Sequence, residues 1–434
     1  MPQKQVLMPC AAEAPAKAAC GIRTLFGPIN QMSESLPDTK DADPPVPPKP
    51  DPWDPIMGAA GHYLTELECT REMFALVAPI LEANDSDRQK RIEAIGEPIK
   101  DEEKGRKAYA FKSLSDIREF LKHNSRMRRG DVMFRRNTIV GMISQFDDFL
   151  MGIIKVAFTE NPEWLKNPDK KLSYKEILET VSLEDLKRDL IVREVNQLMR
   201  DSHHAQLAFL DSRLKLGIED NFKGWPTFLE MTERRNLFVH NGGCVNQIYI
   251  GNAKKYGFPL NPKYKDGTSL TVDDGYIDRA IDCLYELTVR IAQAAARRLF
   301  PECAEEADKS LNNQTVDLMS DERWALAERI FAYALGIPDH LRSGTEYKYY
   351  SLLNLCIALK FSGKDFADTL KSVDWEPMHP KYHFAVAVLE DRYDEAAELM
   401  KSEAVLKAIP IRVRLSRNTL TDSELNQGKV GIMC

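Results

Sequence analysis

WPTFLEMTERRNLFVHNGGCVNQIYI, residues 225–250, is the stretch from which the fold of this chain is read. Pro226 suits the first turn of a helix, where its missing N–H is not needed, and no further breaker occurs before Gly242 and Gly243. Phe228, Met231 and Phe238 recur at helical steps and predict one apolar stripe. Arg235, four after Met231 and three before Phe238, falls on that stripe. An inward guanidinium is costly unless it meets an anion or lines a wet cleft. Asn236 and His240 are four apart and share the neighbouring face, with His240 in the last turn before the glycines. One helix end thus presents a fixed cation, an amide and an imidazole, a set suited to chemistry on a phosphodiester. Five residues at about 3.6 per turn set Arg235 and His240 about 140° apart, so they meet across the frayed helix end or between two protomers.

Outward from this stretch the period stays helical, and the fold class it predicts is all-α. Residues 138–158, TIVGMISQFDDFLMGIIKVAF, bring Ile139, Ile143, Phe146, Leu150, Ile153, Ile154 and Ala157 to one face. Residues 274–300 do the same with Ile277, Ile281, Leu284, Leu287, Ile291 and Ala295. Between them, Ser173 and Ser182 stand where N-caps are expected. His203 and His204 follow Asp201 and invite a metal site, but no companion ligands stand at metal spacing, and a helix junction is the better reading. Residues 251–273 carry Gly257, Pro259, Pro262 and Gly267 and read as a loop, whose Lys254 and Lys255 add positive charge near the helix end.

Arg-x4-His alone is a weak motif. The run ERRNLFVHNGG, residues 233–243, resembles the signature of the HEPN superfamily of ribonucleases, in which Asn commonly follows the Arg. The FDDFL helix and the helix over 274–300 are similar to that family's first and closing helices, nearest the type called RiboL-PSP-HEPN. The likeness covers residues 134–300, with its specificity concentrated in the one motif. It implies a HEPN-type helical bundle that cleaves RNA through the strand's own 2′-hydroxyl, without metal or cofactor, leaving 2′,3′-cyclic phosphate and 5′-hydroxyl ends. By the resemblance, His240 serves as acid or base, Arg235 holds the phosphate, and Asn236 orients one or the other. It further implies a homodimer in which two motifs face one cleft, and a place in a bacterial conflict system, as a toxin or in phage defence. The competing hypothesis is a non-catalytic helical adaptor for RNA, nucleotide or protein, in which the motif merely packs. The presence of Arg, Asn and His together favours the ribonuclease.

Length and composition bound the rest. A chain of 434 residues with 43% hydrophobic and 29% charged residues predicts two or three ordinary globular domains. Its net charge of -7 gives no global attraction to RNA, so a local basic patch is required. The run RMRRGDVMFRR supplies Arg126, Arg128, Arg129, Arg135 and Arg136, which read equally as phosphate contacts or as a solvated loop or helix start. Arg234, Lys254 and Lys255 complete the candidate RNA-binding set. Eight scattered cysteines without a C-x-x-C pair fit a reducing compartment. With no apolar run long enough to span a membrane and no secretory pattern at the start, a cytoplasmic protein is expected.

The chain divides by pattern into five segments. Residues 1–61 form a proline-rich tail, whose Pro44-x-x-Pro47-x-Lys49 matches a ligand of aromatic grooves or, more simply, a solvated spacer, and whose Trp53 is placed to dock on the folded body. Residues 62–130 read as an N-terminal helical segment with a turn at 84–87, and residues 131–300 as the domain that carries the motif. Residues 301–410 are helical, with Ser320 as cap of DERWALAERIFAYAL, and resemble degenerate tetratricopeptide hairpins. That likeness implies a docking surface for a regulatory protein. Residues 411–434 read as a flexible tail.

Overall fold

The apolar periods over 138–158 and 274–300 become buried faces of two long helices in a computed structural model, which describes residues 51, 53–100, 107–111, 113–165 and 171–408. The proline-rich motif and the C-terminal tail lie outside the described residues. Among the described residues the chain is all-α, apart from one two-stranded ribbon and an isolated bridge between Cys244 and Ser269. No helix among them is long and apolar enough to cross a membrane. They form two units, one up to Ala307 and one from Asp308.

In the first unit, α1 (Asp54–Ile95) leads through the ribbon β1 (Gly96–Lys100) and β2 (Lys107–Phe111) into α2 (Leu114–Glu160). The two helices pack along each other, Tyr63 donating to Met142 O at 2.9 Å and Phe74 stacking on Phe134 at 5.8 Å. Short helices follow: α3 (Tyr174–Glu179), α4 (Leu183–Leu198), α5 (His203–Leu214) and α6 (Ile218–Asn221). The motif helix α7 (Trp225–His240) then lies against α2, α8 (Gln247–Tyr256) and α9 (Asp274–Leu299). Every inward position expected on α2 and α9 is buried. Ser173 and Ser182 cap α3 and α4 as expected, Ser173 within a complete capping box with Glu176. The backbone N–H and hydroxyl of Ser173, with Arg193 beside them, hold the Glu176 carboxyl down at about 2.

Four boundaries differ from the sequence reading, each for a physical reason. Trp53 is buried, as are Ile56 and Ala60, so the folded body includes residues well before 62, with α1 running from Asp54. The backbone of α1 runs helical through 84–87, where a turn was expected. Asn, Asp and Ser each cost a helix only some tenths of a kcal/mol, about what flanking turns anchored by packing can absorb. For the same reason α2 is one helix of 47 residues that takes in the whole arginine run. The N-terminal segment and the motif domain are therefore parts of one unit, not two. Helix α8 forms where a loop was expected, because Asn246 accepts from Tyr249 N at its start and Gly257 ends it with φ +72°.

The second unit contains most of α10 (Ala304–Ser320), then α11 (Trp324–Gly336), α12 (Glu346–Phe361), α13 (Ala367–Lys371), α14 (Pro380–Leu389), α15 (Tyr393–Leu399) and α16 (Glu403–Ala408). Helix α11 packs on α12, and α14 on α12, α15 and α16. Ser320 ends α10 and does not cap α11, its Oγ donating back to Val316 O at 3.2 Å.

Candidate active site

The motif helix α7 is enclosed on more than one side. Phe228 meets Phe146 of α2 edge-on at 5.2 Å and stacks on Trp225 at 5.7 Å, while Leu229, Met231, Thr232 and Leu237 are also buried. The more deeply buried arginine of the helix is Arg234, not Arg235. Arg234 is 5% exposed, and its Nε donates to Glu230 Oε1 at 2.7 Å, one helical turn earlier. Its Nη1 donates to Thr271 O at 2.9 Å, and its guanidinium lies over the Tyr276 ring at 4.3 Å. Glu230 also accepts from the hydroxyls of Tyr249 and Tyr276, both at 2.7 Å. Burial alone lowers the pKa of a guanidinium, but the tyrosines and Glu230 outweigh it, and Arg234 is held above its ordinary range. Arg234 thus has no face left for an RNA phosphate. The i,i+4 Glu230–Arg234 pair was legible in the sequence and marks which arginine is internal.

Arg235 turns toward α2. Its side chain is 23% exposed, with Nη2 3.9 Å from Asp147 Oδ2 and Nη1 donating to Asn236 Oδ1 at 3.3 Å. The Arg235 Nε is buried without a hydrogen-bond partner among the described residues. Asp147 Oδ1 meets His203 Nε2 at 2.7 Å, and the His203 ring lies against both Phe146 and Phe228. One carboxylate therefore faces an imidazole and a guanidinium from two other helices. His203 is in the first turn of α5 behind the cap Ser202, the helix junction expected of it. Asp147 carries no signal in the sequence beyond its place in FDDFL.

His240 is the last residue of α7 and is exposed. It lines an open cleft of about 390 Å³ between α7 and α8 together with Glu233, Asn236, Asn246 and Asn252. Asn252 Nδ2 donates to Glu233 Oε2 at 2.9 Å across it. Ile248, also lining it, is 70% exposed, and Val239, beside His240, is 47% exposed. Asn236 and His240 share this cleft, as their spacing predicts, whereas Arg235 is not among its lining residues. The motif is divided between two faces of α7, in keeping with the helical angle between its ends.

The loop that ends α7 is built by glycine and by Arg136 of α2. Gly242 and Gly243 have φ of +60° and +79°, and Gly243 N donates to Leu237 O at 2.9 Å. Arg136 donates to Gly242 O at 2.9 Å and Leu270 O at 3.2 Å, and lies over the Phe238 ring at 5.2 Å. A Cβ on Gly243 would stand 2.6 Å from the Arg136 guanidinium carbon, whereas one on Gly242 meets nothing within 4 Å. Gly242→Ala is expected to cost about 1 kcal/mol, for the left-handed backbone alone. Gly243→Ala should cost about 1–3 kcal/mol more as Arg136 is displaced, read from urea unfolding midpoints. Equal losses would show that Arg136 yields without cost.

The arginine run is accordingly split. Arg135 is paired with Asp131 and Asp274, which outweigh its burial and raise its pKa, and Arg136 holds the loop. Arg126, Arg128 and Arg129 remain exposed on α2, and Lys254 and Lys255 on the last turn of α8. His204 stacks on Tyr256 at 4.8 Å and does not join His203. Among the described residues no three His, Cys, Asp or Glu side chains are grouped to hold a metal ion. No family model, curated protein or solved structure matches the chain.

Proposed function

We propose that this chain is an endoribonuclease of HEPN type, one that acts in a conflict system and assembles its site from two copies. The observation that carries the reading is the open cleft at the end of α7, where Asn236 and His240 stand together. In the reaction the 2′-oxygen of the RNA attacks the adjacent phosphorus. The bond to the 5′-oxygen breaks as the new bond forms, leaving a 2′,3′-cyclic phosphate. His240 takes the 2′-proton or supplies one to the leaving 5′-oxygen, and Arg235 of the other copy neutralises charge on the phosphorane. Asn236 orients the phosphate. An isologous contact suits this division of labour, since Arg235 is not among the residues that line the His240 cleft of its own chain. The exposed side chains of Val239 and Ile248 beside the cleft give such a contact apolar surface to bury.

Incubation with RNA in excess chelator, followed by analysis of the new ends, tests the reaction. Cyclic phosphate ends are expected, and intact RNA or 3′-hydroxyl ends would reject it. Mixing tests the shared site. Inactive Arg235→Ala and inactive His240→Ala protomers should together recover part of the activity, because a mixed dimer holds one intact composite site. A dead mixture of proteins that still dimerise would give each chain a complete site of its own. One observation favours the adaptor reading instead: Asp147 stands within 3.9 Å of Arg235 and holds it as a packed residue would be held. A chain that binds RNA tightly yet leaves it intact would decide for the adaptor.

A further inference from the structure

A second basic site lies on the hairpin of α1 and α2. Arg88, Arg91 and His123 belong to no motif in the sequence, yet the fold brings them beside Arg128. A groove of about 220 Å³ is lined by Arg88, Arg91, His123, Asn124, Arg128 and Asp131, among others. Neither Arg88 nor Arg128 has a hydrogen-bond or ion-pair partner among the described residues. Arg91 Nη1 lies 2.6 Å from His123 Nε2. A guanidinium can only donate, so Nε2 is the acceptor of this contact. Asn124 Nδ2 is buried and has no partner among the described residues. Asp131, the one carboxylate that lines the groove, is already paired with Arg135 at 2.7 Å. Three cations and an unused amide donor therefore converge where almost no acceptor charge is available. Such a groove is completed by a ligand that brings several anionic oxygens.

From this we infer that the groove is a phosphate-binding site, and that it takes backbone phosphates of a single RNA strand. The volume decides between sources that share this chemistry. About 220 Å³ holds phosphate groups but falls below the roughly 300–1,000 Å³ of pockets that enclose a whole small ligand, so a free nucleotide would leave its base unheld. Position agrees. Arg128 is eight residues from Arg136, about 12 Å along one helix at 1.5 Å per residue, and Arg136 holds the loop beside His240. A strand lying along α2 could thus occupy the groove and approach the cleft together. The choice of RNA rests on the ribonuclease reading, whereas the phosphate chemistry stands without it.

The test uses the full chain carrying His240→Ala, so that RNA stays intact, with and without Arg88→Gln, Arg91→Gln and Arg128→Gln together. Binding of a labelled single-stranded oligoribonucleotide is measured against salt. Three lost contacts at about 0.7 each should lower the slope of log affinity on log salt by about 2. Inorganic tripolyphosphate should compete with RNA on the parent and not on the triple variant. Thermal melting should not change, since all three arginines are exposed. Superimposable salt slopes, or no RNA binding by the parent, would overturn the proposal. Loss of tripolyphosphate binding with RNA binding untouched would keep a phosphate site but overturn its assignment to RNA. If the wild type cleaves nothing while the variant loses RNA binding, the ribonuclease fails and the groove stands.

Discussion

Replacing His240 by alanine is expected to lower RNA cleavage in excess chelator roughly 10²- to 10⁴-fold, the range that a positioned acid or base contributes. The imidazole is exposed at the end of α7, so its removal opens no cavity and unfolding offers no alternative explanation. The comparison that gives the result meaning is His203→Ala. His203 is the imidazole on the Arg235 side, joined through Asp147 to that guanidinium, and its ring lies against both Phe146 and Phe228. Its loss should act through the position of Arg235, and it should lower stability as well as rate. If His203→Ala alone abolished cleavage in a protein of unchanged stability, the acid–base role would pass to His203. Undiminished cleavage by His240→Ala would end the proposal outright.

The largest expected effect on stability belongs to Glu230. The residue is 8% exposed, and its carboxylate accepts from Arg234, Tyr249 and Tyr276 and is the anion that makes an internal guanidinium tolerable. Glu230→Ala leaves Arg234 buried and uncompensated, which costs about 3–5 kcal/mol. Pairing Glu230→Leu with Arg234→Met removes both charges while keeping volume, and should recover part of that loss, the hydroxyls of Tyr249 and Tyr276 being left without their acceptor. The measurement is the urea dependence of amide exchange in α7. A loss under about 1 kcal/mol for Glu230→Ala would mean that solvent reaches Arg234 and that the pair acts as a surface pair does. The same network sets an alkaline limit. Burial first, and then Glu230, push Tyr276 well above the ordinary 10.0, and Tyr249 is raised for the same reasons. The folded chain therefore keeps two protons that the unfolded chain releases near pH 10. Their contribution is fully present below pH 10 and is lost as pH rises beyond it.

The residues themselves determined what depends on neighbours within a turn or two. Periodicity alone placed Ile139, Phe146 and Leu150 on α2, and Ile277, Leu284 and Ile291 on α9, in the core. Ser173 and Ser182 marked helix starts because a cap bonds an N–H only three residues on. The four-residue step from Asn236 to His240 was enough to put both in one cleft. Tertiary structure decided what depends on distant partners. A stripe drawn through Phe228, Met231 and Phe238 selected Arg235 as the inward cation. Tyr276, 46 residues from Glu230, and the carbonyl of Thr271 instead built the polar interior that receives Arg234. Asp147 joins His203 across 56 residues, a meeting that no spacing announces. Arg91 and His123 come together only because the β1–β2 ribbon folds α1 back along α2. Local sequence chooses helix and face, but the cost of burying a charge is settled by whichever groups the rest of the chain brings to it.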